Sequence, residues 1–179
     1  MLGYAATSRV KTSNPPPEGH YYYDRTDWWN QMATLPAPRV AVIQDIDERV
    51  GVGASVGEVH GTILQALQCV GVVTNGAVRD LPAVRKMRLP MFAGNISVSH
   101  AYVHMVDFGK PVEIFGLRIE TGDLLYGDCH GVVVIPEQVA GEVAAKAADL
   151  ERKERVVIDL CRSPEFSIEK LRAAVRELE

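Results

Sequence analysis

Apolar residues recur at two different periods along this chain, and the alternation between them lays out its elements. Tyr4–Val10 and Arg39–Ile46 are short and apolar, the pattern of strands. Between them Asn14-Pro15-Pro16-Pro17-Glu18-Gly19 reads as a loop stiffened by proline. The aromatic residues Tyr21-Tyr22-Tyr23 and Trp28-Trp29 follow, and a short helix is expected near Asp27–Met32. That segment either packs on the core or a subunit neighbour, or forms a lid or substrate wall. From Val59 to Val70 the apolar residues Val59, Ile63, Leu67 and Val70 step by four, four and three, which is helix period. Gly57 precedes this helix and Gly71 is expected to close it. Gly71–Thr74 is then a buried strand, Asn75-Gly76 a turn, and Pro82–Arg88 a short helix with proline in its first turn.

The second half continues with a strand at Pro90–Gly94 and a polar, irregular stretch over residues 95–110. Val112–Ile114, Leu117–Ile119, Leu124–Tyr126 and Gly131–Ile135 predict short strands joined by tight turns, a compact β-layer. Pro136 to about Cys161 predicts a long amphipathic helix, with Val139, Val143, Ala147, Leu150 and Val157 near one face. Ser163-Pro164 breaks it. Ser167–Glu179 predicts a last helix with Ile168, Leu171, Val175 and Leu178 on one stripe. The expected architecture is one α/β domain over residues 1–179, a mixed or barrel-like sheet flanked by helices, with residues 162–179 as a helical tail.

Composition narrows the possible partners. With 179 residues, 47% hydrophobic and 23% charged, the chain can bury a real core. A net charge of −4 argues against general binding to nucleic acid, which needs a basic face. It leaves room for an acidic small substrate, because one arginine and one cation make a local positive site. No apolar run approaches the ~18 residues of a membrane span, so no membrane partner is expected. The N-terminus has no signal-peptide pattern. Cys69, Cys129 and Cys161 are widely spaced and predict reduced thiols in a cytoplasmic protein. Cys129, beside His130, is the one cysteine with any case for being a nucleophile.

The candidate chemistry sits where the central strand hands over to the next helix. Arg79 offers a planar fork of donors for a carboxylate or an enolate oxygen. Asp80 offers hard oxygens for Mg²⁺ or Mn²⁺. Glu58 precedes them across one helix and one strand, a span that can bring its start back beside its end. The amides of Val59 and His60, at a helix N-terminus, can hold an anion. Other groups have weaker cases. Asp45, Asp47 and Glu48 are solvated charges or part of a metal shell. Asp123 and Asp128 are either catalytic or, each beside glycine, caps of their own turns, the reading that the residues favour. His100 and His104, four apart, lack a third and fourth zinc ligand, though their segment follows the strand next to the site. Gly51-Val52-Gly53-Ala54-Ser55-Val56-Gly57 is a poor dinucleotide fingerprint, because no strand directly precedes it and no acid follows the next one.

Gly57-Glu58, a gap of twenty residues and Arg79-Asp80 resemble the RraA-like family. Gly122-Asp123 through Gly127-Asp128 to Gly131–Pro136 resembles the same family's second signature. The resemblance covers about Val40–Val139. It implies a swivelling β/β/α fold and trimers or dimers of trimers. The family includes class II pyruvate aldolases acting on 4-hydroxy-4-methyl-2-oxoglutarate and 4-carboxy-4-hydroxy-2-oxoadipate, and some members carry a demethylmenaquinone methyltransferase label. By the resemblance, Asp80 ligates a divalent metal, Mg²⁺ or Mn²⁺, and Glu58 joins its shell through water. Arg79 meets the substrate's keto or enolate oxygen. Gly57 and the amides of Val59 and His60 receive the pyruvyl carboxylate. A C-terminal acid of an adjacent subunit approaches the metal, with Glu165, Glu169, Glu177 and Glu179 as candidates. The expected activity is a metal-dependent, pyruvate-forming lyase acting on a 4-hydroxy-2-oxo diacid, on oxaloacetate, or on both. The alternative is a non-catalytic regulator that binds a ribonuclease or another protein. Two departures bear on the choice: Ala83 stands where aldolases often carry a further acid, and the chain starts later than family members with an N-terminal helical segment.

Overall fold

Strand β2 (Arg39–Asp45) is apolar on both faces. Val40 and Val42 point into one buried cluster, and Ala41 and Ile43 into another. Such a run belongs at the centre of a sheet covered on both sides. The structure is a computed structural model that describes residues 1–17 and 25–178. The Tyr21-Tyr22-Tyr23 run, the Glu18-Gly19 end of the proline loop and Glu179 lie outside the described residues.

Around β2 run β1 (Leu2–Lys11), β3 (Ala54–Val56), β4 (Cys69–Val78), β5 (Met91–Ile96), β6 (His104–Phe108), β9 (Leu124–Asp128) and β10 (Gly131–Ile135). Their order is β10-β9-β1-β2-β4-β3, with β5 also beside β4 and β6 also beside β1. Pairs β1/β2, β2/β4, β3/β4 and β4/β5 are parallel, and those of β1 with β6 and β9 and of β9 with β10 are antiparallel. The sheet is therefore mixed and the fold α/β, as the sequence predicts. Helices α1 (Arg25–Thr34) and α2 (Glu58–Ala66) contribute Trp28, Met32 and Leu64 to one cluster. On the other face β7 (Val112–Ile114) and β8 (Leu117–Ile119) form a separate hairpin that contributes Val112, Ile114 and Ile119.

Several boundaries differ from expectation, each for a local reason. Helix α2 ends at Ala66, and Gln68, at φ 59, takes the left-handed position assigned above to Gly71. Gly71 lies inside β4 instead. Asn75-Gly76 is not a turn but the irregular middle of β4, where its pairing shifts between Thr74 and Ala77. There β2 stops pairing at Thr74 and β3 begins at Ala77. The Asn75 side chain bridges this hand-over: its amide donates to the Asp45 carbonyl at 2.8 Å and accepts from the Asp45 N–H at 2.7 Å. The glycine-rich stretch before α2 contains β3. The stretch read as irregular contains β6, whose polar Asp107 is paired with Arg9 of β1 by a 2.7 Å bond from Nε.

Residues 136–178 belong to a second compact unit. It contains α4 (Glu137–Arg162) and α5 (Ile168–Arg176), and the Ser167 hydroxyl caps α5 by accepting from the Lys170 N–H. Neither helix buries a residue completely.

Candidate functional site

Strand β4 ends at Val78, and the Arg79 N–H donates to the Val56 carbonyl at 2.9 Å, which ties it to the end of β3. Asp80 follows at φ 56, ψ 38, a left-handed conformation that aspartate tolerates better than most residues. This sharp turn starts α3 (Leu81–Lys86), whose Ala83 and Val84 N–H groups donate to the Asp80 carbonyl. The Asp80 side chain turns away from its own helix. It accepts the Glu58 N–H at 3.0 Å and so caps α2.

Gly57 makes this approach possible. Its φ of −141 is ordinary extended backbone, so space rather than torsion selects glycine. A Cβ there would run into the Asp80 carboxylate and lie 2.8 Å from Arg79 Cγ and 3.0 Å from Arg79 Nε. Arg79 Nε lies 3.8 Å from Asp80 Oδ2, with both side chains more than a third exposed. An exposed pair at that distance contributes little stability. Glu58 is exposed at the first position of α2, and Thr62 donates to its carbonyl. The amides of Val59 and His60 occupy the first turn of α2, where a helix offers no carbonyl four residues back.

Beside this corner lies a cleft of about 310 Å³, lined by Arg79, Gly57, Val59, His60 and Ile63 together with Arg25, Trp29, His100 and Val103. Helix α1 thus forms one wall through Trp29, while Trp28 is fully buried beneath it. His60 is 9% exposed, and its ring centre lies 6.1 Å from Trp28 and 5.9 Å from Trp29. Its Nδ1 lies 2.9 Å from the Ser55 carbonyl, which can only accept, so Nδ1 carries the proton and Nε2 is a bare acceptor. That Nε2 is buried without a hydrogen-bond partner among the described residues, as is the Ser55 hydroxyl. Burial pushes the imidazole down to about 4, and the charge of Arg25 adds to the effect. His60 is therefore neutral near pH 7.

Residues 1–134 match the family model described as RraA-like, Aldolase/RraA. This chain belongs to the RraA-like family. An uncharacterized protein of Methanocaldococcus jannaschii is 33% identical over 88 residues, 49% of this chain and 42% of that protein. A Halalkalibacterium halodurans protein named "Putative 4-hydroxy-4-methyl-2-oxoglutarate aldolase" is 31% identical over 112 residues, 60% of this chain and 53% of its own. The chain thus spans about half the length of these curated relatives. An uncharacterized protein from Pseudomonas syringae pv. tomato superposes with a TM-score of 0.71 at 25% identity, covering 96% of this chain and 78% of that one. RraAS2 of Streptomyces coelicolor, described as an unusual member of the RNase ES inhibitor RraA family, has the same fold. Its TM-score is 0.66 at 24% identity, covering 87% and 74% of the two chains.

In this RraA-like chain the donor set beside α2 suits a hard cation. Asp80 is exposed, and Glu58, also exposed, is the first residue of the helix that Asp80 caps. Among the described residues Asp80 belongs to no group of three convergent His, Cys, Asp or Glu ligands. A cation there would keep water or substrate in most of its shell, as Mg²⁺ and Mn²⁺ do and a closed zinc site does not. Asp45, Asp47, Asp123 and Asp128, weighed above, are held by structure. Asp45 is buried, accepts from Gly51 N–H and Asp47 N–H, and its carboxyl is raised by burial. Asp47 accepts from the Thr12 and Ser13 amides. Asp123 accepts from the Glu120 N–H, and Asp128 from the His130 N–H at 2.8 Å, each within its own turn. Cys129 Sγ lies 3.5 Å from His130 Nδ1 on the exposed turn between β9 and β10. His104 stands in β6 with Nδ1 against the Tyr102 carbonyl, while His100 lines the cleft.

Proposed function

We propose that this chain is a divalent-cation-dependent lyase that releases pyruvate, by retro-aldol cleavage of a 4-hydroxy-2-oxo diacid, by decarboxylation of oxaloacetate, or by both. The observation that supports this reading is the meeting of Arg79, the Asp80 carboxylate and the first amides of α2 over the bare Cα of Gly57. The amides of Val59 and His60 hold the carboxylate next to the keto group. The Arg79 guanidinium donates to the 2-oxo oxygen, where negative charge develops as the C3–C4 bond breaks. Asp80 would hold Mg²⁺ or Mn²⁺, with Glu58 as its further acid, and the ion would supply Lewis-acid stabilisation of that charge. In the retro-aldol direction the 4-hydroxyl loses its proton as the bond's electron pair moves into C2–C3. In decarboxylation carbon dioxide leaves instead. Either way the enolate of pyruvate takes a proton at C3.

The aldolase name of the Halalkalibacterium relative supports the same reaction class. Val139, Val143 and Leu150 of α4 are 45%, 41% and 50% exposed, which supports assembly with further copies, a trimer or a dimer of trimers in this reading. The test is pyruvate release from hydroxylated 2-oxo diacids and from oxaloacetate, followed with lactate dehydrogenase, with Mn²⁺ and after chelation. Release that chelation abolishes is the expected result. No release from any of these substrates with Mg²⁺ or Mn²⁺ would count against the lyase.

A further inference from the structure

We propose that Asp128, Cys129 and His130 form a Zn²⁺ site on the turn between β9 and β10, separate from the Asp80 corner and independent of the lyase reading.

Strands β9 and β10 pair Asp128 with Gly131, so Cys129 and His130 are the two residues of a hairpin turn. Two-residue turns favour asparagine, aspartate and glycine. Turn formation alone does not select a thiol and an imidazole. A carboxylate oxygen of Asp128, the Cys129 thiol and a ring nitrogen of His130 lie within 4.8 Å of one another, the one such group of three among the described residues. His130 Nδ1 lies 3.2 Å from Asp128 Oδ1 and 3.5 Å from Cys129 Sγ. Tetrahedral zinc, with bonds of about 2.0 Å to nitrogen, about 2.1 Å to oxygen and about 2.3 Å to sulfur, sets nitrogen about 3.4 Å from oxygen and about 3.5 Å from sulfur. The turn thus holds its donors close to the spacing that the ion requires.

Neighbouring groups fix the carboxylate. The His130 N–H donates to Asp128 Oδ1 at 2.8 Å, and the Tyr126 hydroxyl donates to Oδ2 at 3.2 Å. A carboxylate has about four acceptor sites, so these bonds orient Asp128 and leave it able to take a cation. Partners of this kind are the usual support of a metal ligand. Thiolate, imidazole and carboxylate together favour Zn²⁺ over Mg²⁺ and Mn²⁺, which prefer oxygen. The thiol binds as the thiolate and gives its proton to solvent. Three protein ligands leave the fourth position to water. All three residues are exposed, so a cation reaches them directly from solvent. None of them lines the cleft beside Asp80.

The test is titration of the reduced full chain with Co²⁺, which adopts zinc's geometry and shows a thiolate charge-transfer band in the near ultraviolet. One equivalent per chain should produce that band, and one equivalent of Zn²⁺ should displace it. Cys129→Ser should abolish the band, whereas Cys161→Ser and Asp80→Ala should keep it. His130→Ala and Asp128→Asn should each weaken Co²⁺ binding at least tenfold, which binding to a lone thiol would not show. The exposed turn should tolerate these changes, and His130→Ala decides the matter if Cys129→Ser does not fold. A wild type without the band overturns the proposal, as does a band that survives Cys129→Ser. Unchanged Co²⁺ affinity in His130→Ala or in Asp128→Asn also overturns it.

Discussion

The Asp80 carboxylate accepts the backbone N–H of Glu58 at 3.0 Å, although 22 residues separate them. The residue proposed to hold a cation is thus also the cap of α2, and the proposed role and the observed one should respond differently to substitution. Asp80→Asn keeps an acceptor oxygen and tolerates the left-handed backbone, so its stability in urea should stay within about 0.5 kcal/mol of wild type. Asp80→Ala loses the cap and should cost roughly 1–2 kcal/mol. Both should lose Mn²⁺ affinity. Retained Mn²⁺ binding in Asp80→Asn would show that the carboxylate is only a cap.

Gly57→Ala tests the close approach. Alanine is free to adopt φ −141, so any effect comes from the Cβ against Asp80 and Arg79. The side chains can move aside, so stability should fall by only ~1–2 kcal/mol. Pyruvate release should fall more than tenfold, because the two functional groups are displaced. Near-normal release at a normal melting temperature would mean that the corner is not the working site.

The wall of the cleft that carries His100 and Val103 leads into β6, which Asp107 fastens to β1 through Arg9 while also pairing locally with Lys110. The Arg9 hydrogen bond is the main cause that holds the Asp107 carboxyl below its usual range. A carboxyl depressed on folding contributes stability above its unfolded value, near pH 3.8, and loses it as pH falls through the folded value. Asp107→Asn should therefore be less stable than wild type by about 1–3 kcal/mol at pH 7. The gap should narrow only below about pH 4. Urea denaturation from pH 7 to pH 2.5 measures it, and a gap constant across that range would contradict the assignment.

Asn75→Ala removes both hydrogen bonds to the Asp45 backbone at the hand-over from β2 to β3. The loss should be about 2–3 kcal/mol, since two half-buried backbone groups lose their partner. A change below about 0.5 kcal/mol would show that water replaces the side chain there.

Arg79, Asp80, Glu58 and the start of α2 were legible in the sequence because one helix and one strand of plain periodicity separate them, and a local hairpin brings them together. The same periodicity revealed β7 and β8 at their observed bounds. Arg25 was not placed at the cleft, and Trp29 and His100 were placed near it only as one of two alternatives, because all three reach it through sheet order and not through local spacing. The one local signal was the arginine at the head of the Trp28–Met32 stripe. Strand β6 was hidden because Asp107 interrupts its apolar alternation, and its partner Arg9 lies 98 residues away. Asn75-Gly76 carries the residues of a turn, but tertiary hydrogen bonds to Asp45 hold it inside a strand.

The most direct test of the lyase is the rate of pyruvate formation with Mn²⁺ for wild type, Arg79→Ala and Asp80→Ala, measured on the same substrates and corrected for reaction without protein. The account predicts release by the wild type that requires the cation, and a loss of at least a hundredfold in each variant, about 2.7 kcal/mol of transition-state stabilisation. Equal rates in all three proteins, or a wild type that neither binds Mn²⁺ nor forms pyruvate, would contradict it and favour a non-catalytic role.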